Sequence, residues 1–273
     1  MVGAMIFAVL LAVVPLCLIL ADVIAKGIHG LSVSFLTQPE PFVATLTGGG
    51  FGAGVRGTIK MVALGTIVSV PIGVLAAVYL SEYQPRGVLA TTVRFFSEVM
   101  TGIPSIFVGI FVFTVVVLET HSFSSWAGGL ALGILMLPVI VRTSEEALRL
   151  VPETLREASL ALGVRRWRTI MSVILPTALP GITTGALLAV ARAAGETAPL
   201  LLTAFGNTLL VPWTSWNAPE ASLTLQIFTD SRSPFPAQQA RAWTGALVLI
   251  AGVLILSLVA RAVISRRAGL GRR

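Results

Sequence analysis

Six apolar stretches organise the chain: about residues 5–25, 58–80, 102–118, 127–141, a fifth that opens near 180 and passes 191–200, and 243–260. About 20 apolar residues make a helix long enough to cross the ~30 Å hydrocarbon core of a bilayer. Inside lipid each backbone amide must find its partner within the protein, so such stretches fold as helices. The pattern predicts an all-α polytopic membrane protein with six transmembrane helices. Composition agrees: 55% hydrophobic and 11% charged residues, with a mean hydropathy of +0.92, are too apolar for a soluble domain of 273 residues. A net charge of +7 could suggest nucleic acid, but the basic residues fall between the apolar stretches, a mark of membrane topology. The single cysteine, Cys17, allows no intrachain disulfide, and with two histidines the chain lacks the ligands for an ordinary His/Cys zinc site.

The fifth stretch carries what the others lack. In Ala191-Arg192-Ala193-Ala194-Gly195-Glu196-Thr197-Ala198-Pro199-Leu200, opposite charges and a helix-breaking Gly/Pro pair stand where lipid-compatible residues belong. A charge at the centre of a membrane helix costs ~2.5–3.5 kcal/mol on insertion scales, so such residues face a bundle interior or watery cavity. Arg192 and Glu196, four apart, share a helical face. Pro199 has no amide hydrogen and releases the carbonyl four residues back. Broken backbone at membrane depth is tolerated only where it is buried in protein or lines a cavity. Two readings follow: a pathway contact, or a permanent ion pair that makes both charges tolerable in lipid.

The connections are less regular. The first stretch lacks the basic start and the small-residue cleavage site of a secretory signal and reads as a retained helix. Residues 26–55, with Pro39, Pro41 and Gly48-Gly49-Gly50, read as a loop. Residues 87–100 are mildly amphipathic, with Arg94 and Glu98 four apart, and suit the interface. The longest charged segment is 142–177, where Leu148, Val151, Leu155, Ala158 and Leu162 recur at spacings of three and four as one apolar helical stripe. Gly163 allows a sharp turn there, and a second short helix from about Arg165 is expected to end at Leu175-Pro176. Residues 203–241, with Trp213 and Trp216, read as an irregular loop with interfacial aromatics.

Charge bias orients the chain. If both termini are cytoplasmic, thirteen of the 19 basic residues lie inside, including the tail Arg261, Arg266, Arg267, Arg272 and Arg273, five lie outside, and Arg192 is embedded. The segment 142–177 is then a cytoplasmic loop. Its apolar stripe must pack locally or dock on a soluble partner.

The wording of that loop favours docking. Glu157-Ala158-Ser159, Gly163 and Val173-Ile174-Leu175-Pro176 resemble the EAA loop of ABC importer permeases, with Ser159 and Val173 as small or isosteric replacements. The resemblance implies the type I ABC importer permease (MetI-like) architecture, a single permease domain over 1–273 with 142–177 as its cytoplasmic coupling loop, and contact of Glu157, Ala158 and Gly163 with an ATP-hydrolysing subunit. The cluster Arg165, Arg166 and Arg168 also suits anionic headgroups of membrane lipid.

Further stretches narrow the resemblance. Tyr79-Leu80-Ser81-Glu82-Tyr83, Gly102-Ile103-Pro104-Ser105-Ile106, Arg142-Thr143-Ser144-Glu145-Glu146-Ala147 and above all Arg192-Ala193-Ala194-Gly195-Glu196-Thr197-Ala198-Pro199 are similar to phosphate ABC importer permeases of the PstA type. That family implies a bacterial or archaeal plasma membrane, a second phosphate permease, an ATP-binding cassette dimer, an external phosphate-binding protein and a link to a phosphate-signalling regulator. No cofactor is expected on this chain: no phosphate-binding Gly-Lys-Ser/Thr loop is present, so ATP and its magnesium belong to the partner ATPase and the chain is not itself an enzyme. Guanidinium offers a planar fork for a dehydrated phosphate, which makes Arg192 the first candidate for the substrate pathway. Arg142 is the second by family resemblance, and Glu196 is the counter-ion of Arg192. A permease for another oxyanion (sulfate, molybdate or phosphonate) and a membrane phosphate sensor are the competing readings.

Overall fold

In a computed structural model, which describes residues 1–270, five helices are long and apolar enough to cross a membrane. Side chains are described to Val259 and at Ala262, so the basic tail used in the topology count (Arg261, Arg266, Arg267, Arg272 and Arg273) lies outside the described residues. The chain runs α1 (Val2–Gly27), α2 (Val33–Thr37), α3 (Gly52–Val78), α4 (Val88–Gly102), α5 (Ser105–Val112), α6 (Leu118–Thr120), α7 (Ser125–Arg149), α8 (Glu153–Ala161), α9 (Arg166–Thr169), α10 (Leu175–Ala194), α11 (Ala198–Thr203), α12 (Leu223–Ser231) and α13 (Pro236–Leu270). π turns at Tyr79–Tyr83, Phe113–Val117 and Ile170–Ile174 extend α3, join α5 to α6 and join α9 to α10.

Small residues set the centre. Where lipid removes the hydrophobic drive between helices, close backbone approach and van der Waals contact hold a bundle together. α3 and α7 run parallel and form the most extensively packed pair. A Cβ on Gly65 would come 3.1 Å from the backbone of both Gly129 and Gly133, and one on Gly73 would meet Ile140. α10 returns antiparallel on α7, with Gly181 against Ala147 and Gly185 against Thr143. Met61, Leu132, Met136, Ala193, Leu200 and Leu225 share one core, which joins α3, α7, α10, α11 and α12. α1 stands apart, packed chiefly on α13, and its most apolar window is 0% buried.

Four expectations change. The third stretch is a 16-residue arm, Ser105–Thr120, that passes as a span only together with α4, and the two are bent by 106° at Ile103-Pro104. Proline pushes the residue before it out of helical backbone, and Ile103 is extended at ψ 132°. The fourth span does not end at 141: α7 continues through Arg142, Glu145 and Glu146 to Arg149, because carboxylates and guanidiniums on neighbouring helices pair those charges. The helix begun at Arg166 does not stop at Pro176. It runs on as one 29-residue span to Ala194, the π turn at Ile170–Ile174 having shifted the bonding pattern just before the proline. The stretch between these two long helices is therefore about residues 150–165, and the apolar stripe is divided. Leu148 and Val151 are buried with the end of α7, while Leu155 on α8 and Leu162 just past it are exposed.

Candidate functional site at the break in the fifth span

α10 ends where the sequence placed its breakers. Gly195 caps it, residues 195–197 leave the helix, and Pro199 is the second residue of α11, where a missing amide hydrogen is harmless. The carbonyl of Glu196 accepts the Thr224 hydroxyl at 2.8 Å, which ties the break to α12. Arg192 and Glu196 face each other across it with Nε to Oε1 at 3.7 Å, close enough for attraction and too far for a hydrogen bond. Among the described residues the Arg192 guanidinium makes no hydrogen bond, and its side chain is 51% exposed, whereas that of Glu196 is 17% exposed.

Depth follows from helix register. The contacts 181 with 147 and 185 with 143 put Arg192 level with Met136. At 1.5 Å per residue that is about 16 Å from the Ser125 end of α7 and about 20 Å from its Arg149 end, the middle of the bundle. Arg192 thus combines mid-depth, exposure on the chain's flank and five unspent donors. Arg142 lies about 9 Å farther toward the Arg149 end. It binds Glu98 of α4 at 2.5 Å and Glu146 at 3.1 Å, and it is half-exposed. The structure therefore does not bring the two arginines together. Arg94 of α4 makes a parallel contact, 2.7 Å to Glu145, which also takes Arg149 at 2.6 Å. The sequence paired Arg94 with Glu98 along one helix; both residues instead reach across to α7.

Glu157, Ala158 and Gly163 sit together on the segment between α7 and α9, all exposed. Gly163 has φ +75°, its amide bonding Leu160 O at 2.9 Å and that of Val164 bonding Ser159 O at 3.3 Å, which closes the end of α8. Leu162 beside it is 83% exposed.

Sequence reasoning missed the buried charge clusters at the Ser125 end. Lys60 on α3 reaches Glu220 at 2.6 Å, with both side chains almost fully buried, and donates to Ser215 O at 2.7 Å; Ser125 donates to the same carboxylate oxygen at 2.5 Å. These bonds press the 204–221 loop onto the ends of α3 and α7. A lysine inside an apolar stretch was the available signal, since it demands a buried partner. Residues 203–241 are likewise more ordered than expected: Ser222 caps α12 through Leu225 N, and α13 begins at Pro236. On α13, Arg241 reaches Asp230 and Glu40, each at 3.4 Å, and Leu46 O at 2.9 Å. Two carboxylates share that guanidinium. Burial and then repulsion from Glu40 raise Asp230 to about 7 from 3.8, with Arg241 opposing. The unfolded chain thus loses this proton before the folded one does, so this group's contribution to stability is fully present below about pH 3.8 and is lost as pH rises to about 7. The melting temperature of the purified protein should therefore drop between pH 5 and pH 8, and Asp230→Asn should flatten that slope.

Among the described residues no group of three or more His, Cys, Asp or Glu side chains is placed to hold a metal ion.

Comparison with known proteins accords with this architecture. Residues 69–269 match the family model described as "Binding-protein-dependent transport system inner membrane component". The phosphate transport system permease protein PstA of Yersinia pestis is 41% identical over 250 residues, covering 91% of this chain and 83% of that one. Its namesake in Haemophilus influenzae is 41% identical over 263 residues, covering 96% and 91%. PstA 1 of Mycobacterium tuberculosis is 40% identical over 258 residues, covering 91% and 81%. Among solved structures, an inward-facing MetNI methionine ABC transporter superposes with a TM-score of 0.63 at 21% identity, covering 78% of this chain and 94% of that chain, a likeness of fold. A chain with this helix order, this broken fifth span and this similarity along its length belongs to the inner membrane components of binding-protein-dependent transport systems, within the PstA family of phosphate transport permeases.

Proposed function

We propose that this chain is a permease subunit of an ATP-driven importer of inorganic phosphate, and that Arg192 is the residue that meets the anion within the membrane. The observation that carries the site is the unspent guanidinium at mid-depth. Half-exposed on the isolated chain, it is too costly to leave facing lipid, so the flank of α10 that bears it faces protein or a water-filled path. A second permease packed there closes the path. Glu196, at 3.7 Å, holds the guanidinium by attraction alone and releases it to a phosphate that supplies real hydrogen-bond acceptors. Arg142 serves the inner end of the route. Its guanidinium is held there by two carboxylate partners, Glu98 and Glu146.

The chain is an inner membrane component; in our reading both termini and residues 150–165 lie on the cytoplasmic side, and the 204–221 loop lies outside. An ATP-binding cassette dimer, which carries ATP and magnesium, docks on α8 through Glu157, Ala158 and Gly163. An external binding protein delivers phosphate, and a phosphate-signalling regulator reads the assembly. The decisive experiment is ATP-dependent uptake of labelled phosphate into vesicles that hold the chain with its second permease, ATPase and binding protein. Uptake blocked by excess phosphate and unaffected by sulfate, molybdate or phosphonate is the expected result; uptake of one of those anions in preference to phosphate overturns it.

Gly163→Asp tests the docking role. Nothing lies within 4 Å of a Cβ there, and the left-handed backbone leaves a modest local strain. The variant should insert and accumulate normally while ATP-driven uptake falls about tenfold or more, as a charge enters the contact. Normal uptake at normal expression would remove Gly163 from the contact.

A further inference from the structure

Residues 150–165 are fastened to a helix that is not one of their own stems. Arg156 on α8 is 15% exposed and Glu82, in the π turn that ends α3, is 7% exposed. The guanidinium forks onto the carboxylate, Nη2 to Oε1 at 2.9 Å and Nε to Oε2 at 3.3 Å. Its remaining donors go to Leu148 O at 2.8 Å and Val151 O at 2.6 Å, at the C-terminus of α7, where a cation also meets the negative end of the helix dipole. From the other side Arg166 donates to the backbone carbonyl of Glu82 and stands 5.4 Å over the ring of Tyr83. The Ser159 and Thr169 hydroxyls, 2.8 Å apart and buried, brace α8 against α9. Glu82 is therefore gripped by α8 and by the start of α9, on either side of the proposed ATPase contact.

α3 then carries this grip the length of the bundle. From Glu82 to Lys60 is 22 residues, about 33 Å of helix. At Lys60 the helix is clamped to Glu220 in the 204–221 loop, which leads through Ser222 to Thr224, the residue bonded to Glu196 beside Arg192. We propose that the Arg156–Glu82 fork is the joint through which movement of the ATPase-docked segment is passed to α3, and through α3 to the outer loop and the broken fifth span. This rests on the permease reading above. Arg156 and Glu82 are positioning residues in it, touching neither phosphate nor ATP. A buried fork suits the task because it transmits both push and pull, which an apolar contact that can slide does not.

The test uses the whole complex, with Leu209→Cys as a labelling site in a Cys17→Ser background. Leu209 is 49% exposed on the 204–221 loop, and Cys17 is exposed on α1. Phosphate uptake per ATP hydrolysed and the effect of ATP on thiol labelling are measured together. Glu82→Gln and Arg156→Gln should each leave the ATPase bound and hydrolysing, lower uptake per ATP about tenfold, and abolish the ATP-dependent change in labelling. The double variant should be no worse than either single one. If Glu82→Gln lowers the yield of complex, Glu82→Asp keeps the charge while shortening the reach and reads the same ratio. Wild-type ratios and labelling in either variant, additive losses in the double variant, or an outer loop that does not respond to ATP in the unmodified complex all overturn the joint. ATP-responsive labelling that the variants abolish, in a complex that takes up no phosphate, upholds the joint and overturns the phosphate reading instead.

Discussion

Arg192→Gln should reduce ATP-driven phosphate uptake by at least about a hundredfold while the complex assembles in normal amount. A hydrogen bond to a charged group contributes about 1.5–3 kcal/mol, so removing two from a bidentate contact reaches that factor. Folding should be nearly indifferent, because the side chain is half-exposed and among the described residues makes no hydrogen bond. Arg192→Lys should fall between the two, since an ammonium keeps the charge and loses the planar fork. Glu196→Gln, which removes the competing carboxylate without touching the guanidinium, should impair release more than capture, seen as slowed turnover with little change in half-saturation. Labelled-phosphate uptake, with quantification of the assembled complex in the same vesicles, checks all three. Wild-type uptake by Arg192→Gln would end the proposed role and leave the charge pair as a structural accommodation.

Glu220→Ala carries the largest expected effect on stability. It strands the Lys60 ammonium, buried to 2% exposure, which among the described residues keeps only Ser215 O as a hydrogen-bond acceptor, with the ring of Trp216 5.2 Å away. Breaking a buried pair from one side costs about 3–5 kcal/mol because an uncompensated charge remains. The variant should melt well below the parent in detergent and be cut early by protease in the 204–221 loop. Replacing both partners with apolar residues, Lys60→Met with Glu220→Leu, should recover much of the loss. The exposed pair Asp22–Lys26, at 3.1 Å, is the contrast: Asp22→Asn should shift stability by less than about 1 kcal/mol. Equal losses at the two pairs would mean that burial does not set their worth.

Several features were legible from residue order because they depend on local chemistry. Apolar stretches of membrane-crossing length marked the spans, and the Gly195/Pro199 pair marked the break to within a residue. The left-handed turn at Gly163 followed from glycine's freedom at positive φ. The bend before α5 and the continuous helices through 142–149 and 166–177 were not legible. A charged stretch reads as a connection when its partners are unknown, and Arg142, Glu145 and Arg149 remain helical because α4 supplies Glu98 and Arg94 beside them. α12 was hidden for a related reason: its few turns are buried by α3 and α13 rather than marked by a strong apolar period.

The sequence by itself determined an all-helical membrane chain, its family, a broken fifth span and a short list of charges that lipid would not tolerate unpaired. Only the tertiary structure decided how those charges are used. It left the donors of Arg192 unspent at mid-depth, engaged Arg142 with two carboxylates, and tied down α3 at Lys60 and, through the π turn that extends it, at Glu82. Sequence spacing reports neighbours along one helix, but a buried charge is governed by whatever low-dielectric packing brings within hydrogen-bond reach, and for Glu145 with Arg94, Glu82 with Arg156, Lys60 with Glu220 and Arg241 with Glu40 that partner is 51 to 201 residues away.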